Sequence, residues 1–225
     1  MPEHYRSMNT FDFCTQDFFQ DEQVKFKAEL DSLGRFSIKI PLMNSSEFFC
    51  DWQRCFMRTM LEPGKTYFLL YDFKEGRRMW MGEDVRLQNE LFRHPLNWNR
   101  IRMEEYGEDF DKYVASVDSL IKTQHAQVDE LCRQHPTLST RFNLYRKGST
   151  TWQQARDFGQ ARFRAKDYHF PENAKKYAYE NFWLKLPKPY TLYRDVRGFW
   201  RDYLDDATRN VQATYSFTMF DHIDE

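Results

Sequence analysis

The shortage of β-branched residues limits the folds that this 225-residue chain can adopt. Phe (21) and Tyr (13) are abundant, whereas Val (7) and Ile (5) are scarce. Buried parallel strands are rich in Val and Ile, so a doubly wound sheet or a β/α barrel is disfavoured. The net charge of −1 and the many aromatic residues argue against disorder. We therefore predict an ordered, helix-dominant α+β fold with a small, mostly antiparallel sheet and a core of Phe, Tyr, Leu and Met.

The length of the chain fits either one large domain or two small ones. We predict a sheet-containing α+β unit in residues 1–95 and a mainly helical region in residues 96–225, with one continuous domain as the alternative. The second region includes a basic segment, 141–201, and an acidic tail, 202–225.

Apolar periodicity in the first 82 residues predicts an α-β-α-β-β unit. Phe26, Leu30 and Leu33 recur at helical spacing, while residues 35–42 alternate in the manner of a half-buried strand. Gly76 marks the turn between the two strands of a hairpin. The predicted elements are helix 17–33, strand 35–42, helix 45–61 and hairpin strands 66–73 and 78–82.

The rest of the chain is predicted to be mainly helical. Asp84 is expected to cap a short helix that ends before Pro95, and an apolar stripe predicts one long helix over 107–135. Residues 139–148 are predicted as a turn or short strand. Further helices are predicted at 150–166, 171–185 and 191–211. Residues 214–220 alternate like a strand, and both halves belong to one fold if this strand returns to the sheet; otherwise a boundary lies within 95–108.

Several enzyme classes need sequence motifs that this chain lacks. The eight glycines are widely spaced and form neither G-x-G-x-x-G nor a P-loop, and G-x-S-x-G and H-E-x-x-H are absent. Kinases, P-loop NTPases, dinucleotide-dependent dehydrogenases and serine hydrolases are therefore disfavoured. The four cysteines form no C-x-x-C pair, and we predict no cofactor and no metal site.

The cysteines and the N-terminal residues favour an intracellular protein. Scattered cysteines are typical of reducing compartments. The first residues contain no basic stretch followed by an apolar run, and the longest apolar run is Tyr67–Tyr71. We therefore expect a protein of the cytoplasm or nucleus, without a membrane span.

Positive charge is concentrated in the basic segment. Residues 141–201 contain 14 Lys and Arg against 5 Asp and Glu, together with 15 aromatic residues. Basic side chains interleaved with aromatic ones suit a surface that contacts phosphates and stacks on bases. The alternative is that these charges pair with the acidic N-terminal half inside one globule.

We therefore predict a non-enzymatic accessory or regulatory protein that binds a polyanion, nucleic acid in the first instance, through this segment. Trp152, Tyr168 or Trp183 would stack on bases. The predicted nucleic-acid-binding residues are Arg141, Arg146, Lys147, Trp152, Arg156, Arg162, Arg164, Lys166, Lys175 and Lys176.

A protein-interaction or assembly factor is the first alternative. The chain contains 6 Trp, 9 Met and 13 Tyr, which are residue types enriched in the cores of protein interfaces. The same residues also occur at the edges of ordinary hydrophobic cores.

A metal-dependent nuclease is the more distant alternative. Asp72 and Lys74 at a strand end resemble the D-x-K of PD-(D/E)xK nucleases, with Asp51 or Glu22 as the second carboxylate. In that family a hairpin links the catalytic strands, whereas here a predicted helix precedes the D-x-K strand. Separately, Arg164-x4-His169 resembles the R-x4-6-H motif of HEPN ribonucleases.

Overall fold

The structure is a computed structural model that describes residues 10–16, 23–52, 55–72, 74–95, 99–106, 109–164, 170–185 and 191–208. Strands dominate the N-terminal part and helices the rest, so the predicted helix-dominant α+β class is confirmed. Within this described part, no helix combines the length and the hydrophobicity needed to cross a bilayer. The division at residues 95 and 96 stays a prediction, and the strand predicted at 214–220 lies outside the described residues.

The strands form one sheet and one separate hairpin. The bounds are β1 Thr10–Gln16, β2 Gln23–Glu29, β3 Ser45–Trp52, β4 Cys55–Leu61, β5 Tyr67–Asp72, β6 Arg77–Gly82 and β7 Thr191–Leu192. The sheet has the antiparallel order β2-β1-β3-β4, and the short β7 pairs with β3 in parallel. β5 and β6 pair only with each other among the described strands, and their turn contains Gly76 at φ +65°, as predicted.

The helices predicted at 17–33 and 45–61 are wrong. Residues 23–29 form β2, residues 17–22 lie outside the described part, and residues 45–61 contain β3 and β4. β3 lies in the middle of its sheet, and Ser46 through Cys50 are all buried. A strand covered on both faces lacks the alternation of a half-buried strand, so Phe48 and Phe49 give a pattern that mimics a helix.

Residues 35–42 form no strand, although the predicted alternation is present. Every second side chain from Phe36 to Leu42 is half-buried against the sheet, and the side chains between them are exposed. Pro41 has no amide hydrogen, and no described strand pairs with this segment. The segment is thus an extended connection that covers the sheet without joining its hydrogen-bond ladder.

Five α-helices follow in the described part of the chain. Their bounds are α1 Arg86–Arg93, α2 Phe110–Gln134, α3 Thr140–Ala161, α4 Glu172–Asn181 and α5 Arg194–Thr208. The turn or strand predicted at 139–148 is wrong, because α3 starts at Thr140. Ser139 caps α3 by accepting a hydrogen bond from the Phe142 backbone N–H at 3.1 Å.

The predicted N-cap of α1 is also wrong. Val85 precedes the helix without a side-chain cap, and the carboxylate of Asp84 instead pairs with Lys65 at 2.8 Å. Asp84 has a positive φ of 54°, a conformation that Asp tolerates better than most residues. The long helix fits its prediction more closely, since Asp109 caps α2 by accepting from the Lys112 N–H at 3.0 Å.

The core is aromatic, as the composition predicts. In the helical region the ring of Phe158 stacks on Tyr113 and Phe170, with centroid distances of 5.5 and 5.3 Å. In the sheet region Phe13 stacks on Phe48 at 4.8 Å. Offset and edge-on ring contacts of this kind stabilise a core beyond the area that they bury.

Helices α3 and α5 pack closely because glycines lie at their contact. A Cβ atom on Gly198 of α5 would lie 2.8 Å from Cγ of Arg156 on α3, and one on Gly159 would lie 3.2 Å from its nearest neighbour on α5. A Cβ on Gly148 would overlap the hydroxyl of Tyr193, which directly precedes α5. A methyl group at position 148 or 198 would therefore force the facing side chain to move, whereas one at position 159 requires a shift of a few tenths of an ångström.

Candidate functional site

Six of the predicted basic residues form ion pairs in the described part of the molecule, beginning with Arg141, Lys147 and Arg156. Arg141 pairs with Glu62, and Lys147 pairs with Asp129, each at 2.6 Å. Arg156 contacts two carboxylates. Glu62 and Asp129 precede the basic segment, so pairing with acidic residues outside the segment applies to Arg141 and Lys147. The two partners of Arg156 lie in the segment itself.

Arg162 and Arg146 are buried. Arg162 is only 1% exposed and contacts the carboxylates of Asp205 and Asp206, which follow the basic segment. Arg146 is 5% exposed and donates to the backbone carbonyl of Leu91 at 3.1 Å, and its burial lowers its pKa to about 10. Neither guanidinium lies on an open surface that a phosphate chain could follow.

The lysines of α4 are more accessible. Lys175 lies 3.3 Å from Glu172, and Lys176 lies 3.9 Å from Glu180. Pairs of this type on an exposed helix contribute little to stability, so both ammonium groups remain available to solvent. The side chain of Arg164 and the whole of Lys166 lie outside the described part.

The predicted stacking residues are mostly engaged in the core. Trp152 is buried, and its ring lies 6.0 Å from that of Phe199. Trp183 stacks on Tyr203 at 4.4 Å, and Tyr168 lies outside the described residues. Trp152 therefore cannot stack on a base in this conformation, and one face of Trp183 is occupied.

The D-x-K sequence lies at the hairpin turn. The carboxylate of Asp72 accepts hydrogen bonds from the backbone N–H groups of Lys74 at 2.9 Å and Glu75 at 3.3 Å, and so stabilises the turn. Over the described ranges, no three His, Cys, Asp or Glu gather where they could hold a metal ion. The other groups named for nuclease chemistry lie outside the described part: Glu22, the side chains of Asp51 and Arg164, and His169.

A buried carboxylate connects the sheet to the helices. Glu47 on β3 accepts hydrogen bonds from Arg58 and from the Tyr145 hydroxyl, each at 2.6 Å. Arg58 also lies 3.5 Å from Asp195 on α5. Burial raises the pKa of Tyr145. Burial acts to lower the pKa of Arg58, but the attraction of its buried partners, Glu47 first, outweighs it, so the pKa of Arg58 is raised. The buried charges of Glu47 and Arg58 thus compensate each other, and the contacts join the sheet to the helices, which is a structural role.

The outward face of the β5–β6 hairpin is apolar. Phe68 and Leu70 on β5 lie directly opposite Met81 and Met79 on β6. The four side chains, which we call the hairpin face, are exposed by 60%, 55%, 40% and 46%, respectively. Opposite side chains in a strand pair lie roughly 5 Å apart at Cβ, so the hairpin face is one continuous apolar surface.

The hairpin is fixed from its inner side and from one edge. Tyr67, Leu69 and Trp80 pack against the sheet. Asn89 on α1 accepts from the Trp80 N–H at 3.0 Å and donates to the Trp80 carbonyl at 2.9 Å, so a side-chain amide occupies the outer edge of β6 at that point. These contacts leave the hairpin face as the side that points to solvent.

Sequence reasoning identified the hairpin but not its open face. Residues 66–73 are apolar at nearly every position, a pattern typical of a strand that is buried on both faces. A two-stranded hairpin can bury only one of its faces. A strand that is apolar at nearly every position and has one partner strand therefore indicates an exposed apolar face.

Comparison of the chain with protein-family models, curated proteins and solved structures found no match in any of the three. Function is therefore inferred from the chain's own residues.

Proposed function

We propose that the protein is a non-enzymatic assembly protein that associates through the hairpin face, and that its partner there is a second copy of the same chain. The observation that carries this proposal is the exposure of four large apolar side chains on one continuous face. Single exposed apolar residues are common on monomers, but contiguous exposed patches mark sites of association.

The energetics favour covering this face. Complete burial of a Phe, Leu or Met side chain contributes about 1.5–3 kcal/mol relative to leaving it exposed. Met and Phe are also residue types enriched at the centres of interfaces. The hairpin is held in place from behind, so little conformational entropy is lost when a partner binds to its face.

The charges around the face favour a second copy over a charged partner. The hairpin face itself contains no charged residue, and its rim at the turn has mixed signs in Asp72, Lys74, Glu75 and Arg77. An uncharged centre with a mixed rim can lie against its own copy across a twofold axis without strong like-charge repulsion.

Sedimentation equilibrium of the purified protein tests this proposal. The wild type should show a concentration-dependent dimer, and Leu70→Lys should weaken dimerisation by about tenfold or more, because it places a charge in an apolar contact. Leu33→Lys is the matched control, since Leu33 is 73% exposed and lies outside the hairpin face. Circular dichroism should show all three proteins folded.

Two results would contradict the proposal. One is a wild type that stays monomeric at its highest soluble concentration. The other is a dimer that Leu70→Lys and Leu33→Lys affect equally, because association would then involve another surface.

Binding of a polyanion by residues 141–201 stays a prediction, and no described contact favours it over association. Lys175 and Lys176 are two of the predicted nucleic-acid-binding residues that the structure describes. A gel shift across a series of salt concentrations tests their role most directly. If Lys175→Glu with Lys176→Glu leaves low-salt binding to RNA and DNA unchanged, these lysines are not the contact.

A further inference from the structure

A cleft of about 280 Å³ lies between the sheet, the inner side of the hairpin and the helices. Its walls come from four elements in the described part: β4, β6, α1 and α3. The cleft is separate from the hairpin face, which lies on the opposite side of β6. Its volume is close to the lower limit of small-molecule sites, which is roughly 300 Å³.

The charge of the walls has one sign. Three arginines line the cleft, namely Arg58, Arg78 and Arg146, and no acidic residue is among the lining residues. Arg58 is paired with Glu47 and lies 3.5 Å from Asp195, so its charge is compensated within the protein, whereas Arg78 is held by stacking 4.4 Å above the ring of Phe92. Fixed cations in a partly enclosed site attract an anion more strongly than flexible surface cations do.

Arg146 has no anionic partner among the described residues. It is 95% buried, and within the described residues no carboxylate lies within 4.0 Å of its guanidinium. Its polar contact is a single donated hydrogen bond to the Leu91 carbonyl, and it also lies 5.1 Å from the Phe142 ring. A guanidinium has five N–H donors, so most of its hydrogen-bonding capacity is unused by the protein.

Two buried polar residues at the wall have unused hydrogen-bonding atoms as well. Thr59 and Gln88 are each 1% exposed, and neither the Thr59 hydroxyl nor the Gln88 Oε1 has a hydrogen-bond partner in the described structure. Gln88 uses its other side-chain atom, Nε2, to donate to the Met60 carbonyl at 2.7 Å. Of these two atoms, the Thr59 hydroxyl can donate to an anion, whereas the Gln88 Oε1 is an acceptor and needs a donor such as water.

We propose that this cleft binds a small organic anion, consisting of an apolar or aromatic body with one carboxylate or phosphate group. Arg146 and Arg78 would donate to the anionic group, and the Thr59 hydroxyl would add a neutral donor. Trp80 and Phe92 supply apolar walls for the body of the ligand. This site uses none of the residues of the hairpin face, so it does not depend on self-association.

Isothermal titration calorimetry with phenyl phosphate tests the proposal, and benzyl alcohol serves as a neutral probe of similar size. Phenyl phosphate should bind the wild type with one site per chain, and benzyl alcohol should not bind detectably. Arg146→Gln and Arg78→Gln should each weaken binding of phenyl phosphate by about tenfold, because each removes a charge-assisted hydrogen bond.

Arg141→Gln is the matched control, because Arg141 is a half-exposed cation on the same helix that pairs with Glu62 outside the cleft. It should change the affinity by less than twofold. If Arg146→Gln does not fold, because Arg146 also bonds the end of α1, Arg78→Gln decides. The proposal is overturned if phenyl phosphate does not bind, if benzyl alcohol binds equally well, or if Arg141→Gln weakens binding as much as the variants in the cleft do.

Discussion

The β3–β4 and β5–β6 hairpins are both rich in apolar residues, yet the molecule covers them differently. β3 has neighbouring strands on both edges and buried residues on both faces, so Phe48 is almost fully enclosed. β5 has one described neighbour and one covered face, so Phe68 lies mostly in solvent. Apolar sequence alone therefore does not determine burial, because the elements that pack on the two faces of a strand decide it.

The largest expected effect tests this contrast directly. Phe48→Ala should lower the free energy of unfolding by about 3–5 kcal/mol, because it leaves a cavity in the sheet core. Phe68→Ala should change it by less than about 0.5 kcal/mol in the monomer, because the side chain has few contacts to lose. Urea titration at low protein concentration measures both, and comparable losses would show that the hairpin face is covered in solution.

A second test concerns how the β3–β4 hairpin is connected to the helices. Tyr145→Phe removes the hydroxyl that donates to the buried Glu47 and should cost about 1–3 kcal/mol of unfolding free energy. Tyr179→Phe is the control, because Tyr179 lies exposed on α4. Equal, small effects of the two changes in urea titration would mean that the Glu47 network does not connect sheet and helices.

The smallest expected effect is on the pH dependence of stability. Burial lowers the pKa values of His94, which follows α1, and of His125, which lies on α2. The unfolded chain then binds protons before the folded chain does, so the free energy of unfolding should fall as the pH drops through about 6.5. His125→Gln should make this fall shallower in urea titrations at pH 7 and below.

Phe68→Ala is the control for that experiment. The β5–β6 hairpin contains no histidine, so this variant should keep the wild-type pH dependence. A change in slope for Phe68→Ala, with none for His125→Gln, would contradict the assignment of the pH dependence to the histidines.

The parts of the fold that the sequence predicted are those whose signals are local. The β5–β6 turn has Gly76, and α2 has a capping Asp109 and a long apolar stripe, so both could be located from nearby residues. β3 could not be located in this way, because both of its faces are buried by the tertiary fold. A strand buried on both faces lacks the alternation that identifies a half-buried strand.

The candidate site was harder to predict, because partners of charges are set by the tertiary fold. Arg162 is part of the basic segment in the sequence, but its carboxylates come from Asp205 and Asp206, more than 40 positions away. Arg146 belongs to the same segment, yet it lies in a cleft with Arg58 and Arg78 from the strands. A local excess of positive charge therefore does not predict an open basic surface.

The glycine contact between α3 and α5 has a consequence for the seating of a single aromatic ring. Tyr193 sits against Gly148 and immediately follows β7, the short strand that pairs with β3. A methyl group at position 148 would overlap the ring of Tyr193, the residue between β7 and α5, and this ring would then have to leave its place. The seating of this ring thus depends on a hydrogen atom where every other amino acid carries carbon.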